Sequence, residues 1–154
     1  MSFSDPSETL VRKPFHRVEP QVKVVRLRDA VKPVDPGKRN NVPLVTSEIS
    51  AETEIVYQHF APHHMGVYHV HEHAENIWIV IEGTLEAIIG GVRYIVEAGE
   101  LIFMPSGVPH ATGNPGDTDM LAVEIYCPPT DHYEPRDAFS SELPEQIADA
   151  ARPA

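Results

Sequence analysis

Histidine is concentrated in one short part of this chain. Six of its nine histidines lie between residues 59 and 73, and two of these, His69 and His71, are two positions apart. Side chains two apart on a strand point to the same face, so both rings can converge on one ion. Imidazole is a common protein ligand for Zn, Fe, Ni and Cu, and His110 would supply a third donor from another segment. The spacing therefore predicts a metal site on His69, His71 and His110.

A longer pattern surrounds His110. Five residues fit the pattern G-x5-P-x-G-x2-H-x3-N at every fixed position: Gly99, Pro105, Gly107, His110 and Asn114. Upstream, part of a second pattern, G-x5-H-x-H-x3-4-E-x6-G, is matched by His69, His71 and Gly83. These patterns are the two motifs of the cupin family, which the chain resembles over residues 50–128. The resemblance implies an all-β fold, an antiparallel, jelly-roll-like cupin β-barrel with a metal ion in its mouth.

The fourth ligand position departs from the cupin pattern. Counting back from Gly83 by the family's spacing places Asn76 where the carboxylate ligand usually stands. Glu75, one residue earlier, keeps the alternative spacing from His71 but falls on the other side of the strand if the register holds. Asn76, through a neutral amide oxygen, Glu75 and a water molecule all stay open as the fourth metal ligand.

A site of this kind favours one class of substrate. Three imidazoles and a neutral amide would leave a divalent ion its full positive charge, which favours an anionic chelating small molecule such as an organic acid, a diketone or a thiol. In this respect the chain resembles the three-histidine iron cupins, such as cysteine dioxygenase and the diketone-cleaving dioxygenases. That resemblance implies His69, His71 and His110 as ligands of Fe(II), and dioxygenase-like chemistry.

Two other interpretations stay open. Cupin lyases, isomerases and polyketide cyclases hold Zn, Ni or Mn at a similar place, so the resemblance implies a divalent metal cofactor (Fe, Zn, Mn or Ni) without choosing among them. A ligand-binding or sensing cupin barrel that catalyses nothing is the alternative of another class. Oxygen uptake and the metal content of the purified protein separate these interpretations.

Three residues are candidate acids or bases inside the predicted barrel: Glu124, Tyr126 and Tyr57. Such groups need burial and suitable neighbours to bring their pKa near the working pH. For the two tyrosines, packing in the core is the alternative interpretation. His73 has the same strand parity as His71, but a histidine just beyond a strand is more often solvated.

Arg93 is the only Arg or Lys between residues 40 and 135, which makes it a candidate to hold an anionic substrate. Gly90 and Gly91 predict a two-residue hairpin turn, because both accept positive φ. Such a turn would place Arg93 within diagonal reach of Glu86. An ion pair with Glu86 is therefore the alternative to substrate binding.

Short strand-like segments separated by turns predict the barrel that must position these groups. We predict an N-terminal arm over residues 1–45, a cupin barrel over 46–130 and a C-terminal tail over 131–154. The arm is rich in proline and is expected to carry one short strand, residues 22–27. In the tail, residues 144–151 suit a short helix with proline in its first turn.

Charge is distributed unevenly along the 154 residues. Residues 1–40 carry a net charge of +4 (nine basic and five acidic residues), and residues 41–154 carry −15 (three basic and eighteen acidic). A basic arm beside an acidic body fits a homodimer with exchanged arms, and the acidic body disfavours nucleic acid. The single cysteine, Cys127, and the lack of a signal-peptide pattern predict a cytoplasmic protein. The longest apolar run, Ile77–Ile81, is too short to span a membrane, so no membrane partner is expected.

Overall fold

A computed structural model describes residues 11–12, 21–31, 33–134 and 139–151. In chain order the elements are β1 (Val11–Arg12), α1 (Leu27–Ala30), β2 (Arg39–Val45), β3 (Glu54–Phe60), β4 (His69–Val70), β5 (Glu75–Glu82), β6 (Thr84–Ile89), β7 (Val92–Glu97), β8 (Leu101–Met104), β9 (His110–Gly113), β10 (Met120–Cys127), a 3-10 turn (Thr130–His132), β11 (Tyr133–Glu134), β12 (Phe139–Ser140) and β13 (Ala148–Asp149). Within the described ranges, no helix is both long and apolar enough to cross a membrane.

Two sheets make up the body of the fold. One has the order β2-β3-β10-β5-β8 and the other has the order β12-β4-β9-β6-β7-β13, while β1 pairs with β11. Their ladders are antiparallel except for the pairing of β13 with β7. This arrangement confirms the predicted all-β, jelly-roll-like barrel.

The core lies between the two sheets and follows from strand alternation. In β5 the side chains of Asn76, Trp78 and Val80 are buried, because residues two apart share the inward face. The same alternation buries Met120, Ala122 and Glu124 along β10. The largest apolar cluster contains Phe60, Trp78, Val80, Leu85, Ala87, Val96, Met104, Met120 and Ala122. Strands of both sheets therefore supply the core.

The turn between β6 and β7 agrees with its sequence-based prediction. Gly90 and Gly91 have φ of 55° and 81°, the positive values that a two-residue hairpin turn requires. The Nε of Arg93 lies 2.6 Å from Oε1 of Glu86, which confirms the predicted diagonal ion pair. Arg93 also contacts Asp149, at 3.3 Å. Its charge is therefore neutralised within the chain, and the interpretation of Arg93 as a substrate anchor is wrong.

The predicted C-terminal helix is also wrong. Its segment includes β13, which runs parallel to β7. The backbone N–H groups of Ala148 and Ala150 donate to the carbonyl oxygens of Gly91 and Arg93, at 3.0 and 2.9 Å. An isolated helix of this length is marginal in water, whereas the free edge of β7 supplies backbone partners.

The N-terminal strand lies elsewhere than predicted. Residues 21–26 form no strand, and Leu27–Ala30 forms a single helical turn. The strand that adds to the edge of the sheet is β2, which the sequence analysis missed because it contains Pro43. Proline is tolerated in an edge strand, where one side of the backbone needs no partner. The domain boundaries at residues 45 and 130 stay predictions.

Candidate metal centre

Neighbouring strands of the six-stranded sheet bring the three histidines together. His69 begins β4 and lies directly opposite His110, which begins β9. His71 follows β4 by one residue. The ring centroids are 4.8 Å apart for His69 and His71, 4.6 Å for His69 and His110, and 5.3 Å for His71 and His110. One nitrogen from each ring lies within 4.8 Å of the others, which is the convergence that the spacing predicted.

Backbone carbonyls orient two of these rings. Nδ1–H of His69 donates to the carbonyl oxygen of Val67 at 2.7 Å, and Nδ1–H of His110 donates to that of Val108 at 2.9 Å. Because a carbonyl oxygen can only accept, Nδ1 carries the proton in each neutral ring and Nε2 keeps its lone pair. Metal-binding histidines are commonly held in this way.

The nitrogen positions fit a shared divalent ion. Nε2 of His69 lies 3.1 Å from Nε2 of His71. With a metal–nitrogen bond of about 2.1 Å, adjacent ligands lie about 3.0 Å apart in an octahedron and about 3.4 Å apart in a tetrahedron. Nε2 of His110 is buried and has no hydrogen-bond partner among the described residues. Three imidazoles whose ligand nitrogens lie within 4.8 Å of one another match the donor set of a Zn, Fe, Ni or Mn site.

Burial keeps two of these imidazoles neutral at pH 7. It lowers the pKa of His69 and lowers the pKa of His110 to about 4, outweighing the hydrogen bonds to Val67 and Val108, which act in the opposite direction. Since a metal competes with protons for the imidazole lone pair, neutral rings are ready to bind without proton release.

Of the two proposed fourth ligands, the structure brings only Asn76 to the interior. Asn76 is buried, its Nδ2 donates to Oε1 of Glu124 at 2.9 Å, and its Oδ1 has no partner among the described residues. Glu75 is exposed, on the opposite face of β5, and is absent from the group of converging ligands. This corrects the alternative in which Glu75 completes the site, since strand alternation turns it away.

Glu124 is a fully buried carboxylate on the central strand β10. It accepts hydrogen bonds from Nδ2 of Asn76 and from Nε2 of Gln58. Burial raises the pKa of Glu124, while hydrogen bonds from Tyr126, Asn76 and Gln58 and the charge of Arg39 oppose that rise. The carboxylate is thus fixed in position, and its pKa is moved towards neutral pH.

The two tyrosines differ in their placement. The ring of Tyr126 lies 5.2 Å from that of His71, edge to face, on the inward side of β10. Tyr57 is buried on the other face of its sheet, where it packs with Ala30 and Leu44. The prediction of Tyr57 as an acid or base inside the barrel is therefore wrong, and its alternative, core packing, is confirmed.

A cavity of about 60 Å³ joins the histidines to Glu124. His69 and His110 line it from the six-stranded sheet, whereas Glu124, Gln58 and Trp78 line it from the five-stranded sheet. Trp78 Nε1 and Gln58 Oε1 are buried and have no partner among the described residues. These polar groups are free to meet a ligand.

Arg39 and Asn41 also line the cavity, and the sequence analysis missed both. They are two residues apart on β2, so their side chains point to the same face. This alternation could have identified them, but β2 was not predicted as a strand. Gln58 and Phe60 point inward from β3. The sequence alone could not decide whether the even-numbered or the odd-numbered residues of this strand face the cavity.

The other histidines near residue 60 belong to a separate region. Nε2 of His59 lies 2.8 Å from Asp119, and Nε2 of His63 lies 2.9 Å from Asp117. His73 is exposed, as expected for a histidine beyond the end of a strand. Among the described residues, the group able to hold a metal is His69, His71 and His110.

Comparison with known sequences finds a cupin domain over residues 56–126. The chain is 37% identical over 59 residues to the mannose-1-phosphate guanylyltransferase RfbM of Salmonella typhimurium, covering 38% of this chain and 12% of that protein. It is 32% identical over 81 residues to a mannose-1-phosphate guanylyltransferase of Sinorhizobium fredii, covering 50% of this chain and 16% of that protein. The chain thus spans less than a fifth of the length of these relatives.

Similar solved structures support the fold. A conserved protein from Klebsiella pneumoniae with a double-stranded beta-helix domain has a TM-score of 0.67 at 22% identity, covering 82% of this chain and 98% of that one. The polyketide cyclase RemF from Streptomyces resistomycificus has a TM-score of 0.61 at 20% identity, covering 82% and 89%. A predicted oxalate decarboxylase from Thermotoga maritima has a TM-score of 0.61 at 19% identity, covering 69% and 99%. At these identities the likeness extends to the fold alone.

Proposed function

We propose that this chain, whose residues 56–126 match a cupin domain, is a metal-dependent enzyme that transfers a proton on a small, anionic, chelating substrate. The observation that carries the proposal is the shared cavity, which has the histidine cluster on one side and the buried carboxylate of Glu124 on the other. Metal-dependent isomerases, lyases and cyclases that move a proton use such a pairing of an electrophilic centre with a base.

His69, His71 and His110 would hold a divalent ion: Fe, Zn, Mn or Ni. Such an ion would act as a Lewis acid on the chelating oxygen atoms of the substrate. The donors are three neutral imidazoles, so the centre would keep its full positive charge and favour an anion. Asn76 has a free amide oxygen, which supports it as a weak fourth ligand or as a hydrogen-bond partner of the substrate.

Glu124 would remove and return the proton. The amides of Gln58 and Asn76 fix its position, and burial raises the pKa of Glu124 towards the range in which a carboxylate is an effective general base. Tyr126, beside both Glu124 and His71, would close the wall of the cavity next to the reacting carbon.

Dioxygenase-like chemistry is the second candidate. The observation that favours it is the neutral donor set, because the converging group contains three histidines and no carboxylate. His69, His71 and His110 would hold the ion, which would then supply binding of a chelating anion and of O2. In that case the reaction needs oxygen, and Glu124 serves to orient the substrate.

We expect the metal-loaded protein to exchange hydrogen with D2O at carbon 3 of 2-oxobutanoate under argon. Chelation of the oxo acid makes that carbon acidic, and Glu124 is placed to take its proton. NMR follows deuterium incorporation, with metal-free protein as the control. No exchange under argon, together with O2 uptake on adding an oxo acid or acetylacetone, would favour the dioxygenase.

We also propose a homodimer formed through the outer face of β5 and β8. Leu101, Phe103 and Ile81 are 63%, 49% and 44% exposed on or beside this face, and clustered apolar surface of this kind marks an interaction site. Residues 1–10, 13–20 and 32 of the predicted N-terminal arm lie outside the described ranges, and the exchange of arms stays a prediction. A cytoplasmic location and the lack of a nucleic-acid partner stay predictions.

Replacing both Leu101 and Phe103 by glutamate should convert the dimer to a monomer in light scattering at micromolar concentration. Opposed glutamates would repel each other across a symmetric contact. Leu143→Glu is the matched control, because Leu143 is also exposed, at 53%, but lies outside these strands. A monomeric parent protein would contradict the proposal.

A further inference from the structure

Arg39 is a cation at the mouth of the metal cavity. It begins β2, the edge strand of its sheet, and lines the cavity together with His69 and Glu124. Its guanidinium carbon lies 5.8 Å from the centre of the Phe60 ring, a distance that allows a cation–π contact. This contact restrains the arginine head at the mouth of the cavity.

The charge of Arg39 has no acidic partner among the described residues. The ion pairs there include both contacts of Arg93, to Glu86 and Asp149, but none to Arg39. The body of the protein is strongly acidic, with a net charge of −15 over residues 41–154 from three basic and eighteen acidic residues. Arg39 shares the cavity with Glu124 but forms no ion pair with it, so its guanidinium is available to bind an external anion.

The field of Arg39 reaches both sides of the cavity. Its charge adds to the lowering of the pKa of His69 by burial, and at Glu124 it joins the hydrogen bonds in opposing the rise in pKa that burial causes. An anion bound to Arg39 would therefore lie close to the histidines and to the carboxylate. This anionic group would be different from the group that chelates the metal.

The rest of the lining is suited to oxygen atoms. Trp78 Nε1 is a buried donor without a partner among the described residues, and Gln58 Oε1 is a buried acceptor in the same state. Asn41 and Thr112 add further polar groups to the wall. A hydrocarbon ligand would leave these groups unpaired, at a cost in free energy, whereas hydroxyl or oxo groups would satisfy them.

We propose that Arg39 binds a second carboxylate of the substrate, so that the substrate class is a small 2-hydroxy or 2-oxo dicarboxylate. The chelating end would face the histidines and the far carboxylate would meet the guanidinium. This inference rests on the proposed function of the same site. Arg39 lies on β2, outside the matched cupin domain of residues 56–126, so the proposed selectivity would come from a strand beyond the matched range.

The test compares malate with lactate, two 2-hydroxy acids that chelate alike but differ in the second carboxylate. Calorimetric titration of Mn-loaded protein should give malate an affinity about tenfold higher than lactate, as expected for hydrogen bonds to a charged group. Arg39→Gln should remove that preference, because it lowers the affinity for malate more than the affinity for lactate. Arg39→Lys should keep only part of it, because lysine lacks the planar fork.

Arg93→Gln is the matched control: it removes the same charge at a paired site and should leave the malate-to-lactate ratio unchanged. Metal content is measured on every variant, so a failure to bind metal contradicts the proposed function and is distinguished from a failure at Arg39. A purely structural role for Arg39 would lower the affinity of both acids equally. Equal affinities for malate and lactate in the parent protein would overturn the inference. A preference for malate that survives Arg39→Gln would overturn it as well.

Discussion

Replacing His71 by alanine is expected to remove most of the bound metal from this protein. His71 is buried, and its Nε2 lies 3.1 Å from Nε2 of His69, so the substitution removes one of three converging donors. Loss of a supporting hydrogen bond alone costs about 10- to 100-fold in metal affinity, and loss of a ligand should cost more. Affinity is measured by competition with a chelator, and occupancy by elemental analysis.

His73→Ala is the matched control for this experiment. His73 is two residues further on, is exposed and stands outside the converging group. Its replacement should leave metal content and affinity unchanged. Thermal unfolding of the metal-free variants separates loss of a ligand from loss of the fold. Metal occupancy at the parent level in folded His71→Ala would refute the ligand assignment.

Replacing Glu124 by glutamine should lower the rate of proton transfer by about 100- to 10,000-fold while metal content stays unchanged. Glutamine keeps the shape of the side chain but cannot act as the base. The neighbouring amides can accommodate it, because Gln58 Oε1 and Asn76 Oδ1 have no partners among the described residues and can turn to accept. The rate is measured as deuterium exchange in the metal-loaded protein.

The same variant should also differ from the parent protein in the pH dependence of its stability. Burial raises the pKa of Glu124 above its ordinary value of 4.5, so the folded state holds this proton more tightly than the unfolded state does. The ionised group therefore destabilises the fold as pH rises through and above 4.5. Metal-free Glu124→Gln should be more stable than the parent protein at pH 7, and the difference should vanish in acid. Chemical denaturation at several pH values measures it.

Glu75→Gln is the control for both measurements, because Glu75 is exposed on the opposite face of the same sheet. It should change neither the exchange rate nor the pH dependence of stability. An unchanged rate in Glu124→Gln would remove the carboxylate from the proposed reaction. A loss of metal in that variant would indicate that Glu124 supports the metal centre instead.

The sequence predicts the convergence of the three histidines well, because local rules determine it. Two-residue alternation brings His69 and His71 to one face, and the motif around His110 supplies the third ring. The hairpin at Gly90 and Gly91 depends on the same kind of local rule, a positive φ at both residues.

The opposite side of the site depends on tertiary structure and was harder to predict. Tyr57 and Gln58 are both buried, because both faces of β3 are covered, and alternation alone cannot say which faces the cavity. Arg39 was missed because Pro43 argued against predicting a strand over residues 39–45, and this edge strand carries Arg39. The C-terminal segment pairs with the edge of β7, a partner that its own composition does not reveal.

Because two sheets share the lining of the cavity, substitutions in one sheet can alter the site without altering the other sheet. The histidines belong to one wall, and Arg39, Gln58 and Glu124 belong to the other. Substitutions in the five-stranded sheet could therefore alter the proposed recognition and proton transfer while the proposed metal ligands in the six-stranded sheet stay unchanged. A new specificity would then require only a few changes along β2, β3 and β10, and redesign of this protein should begin on those strands.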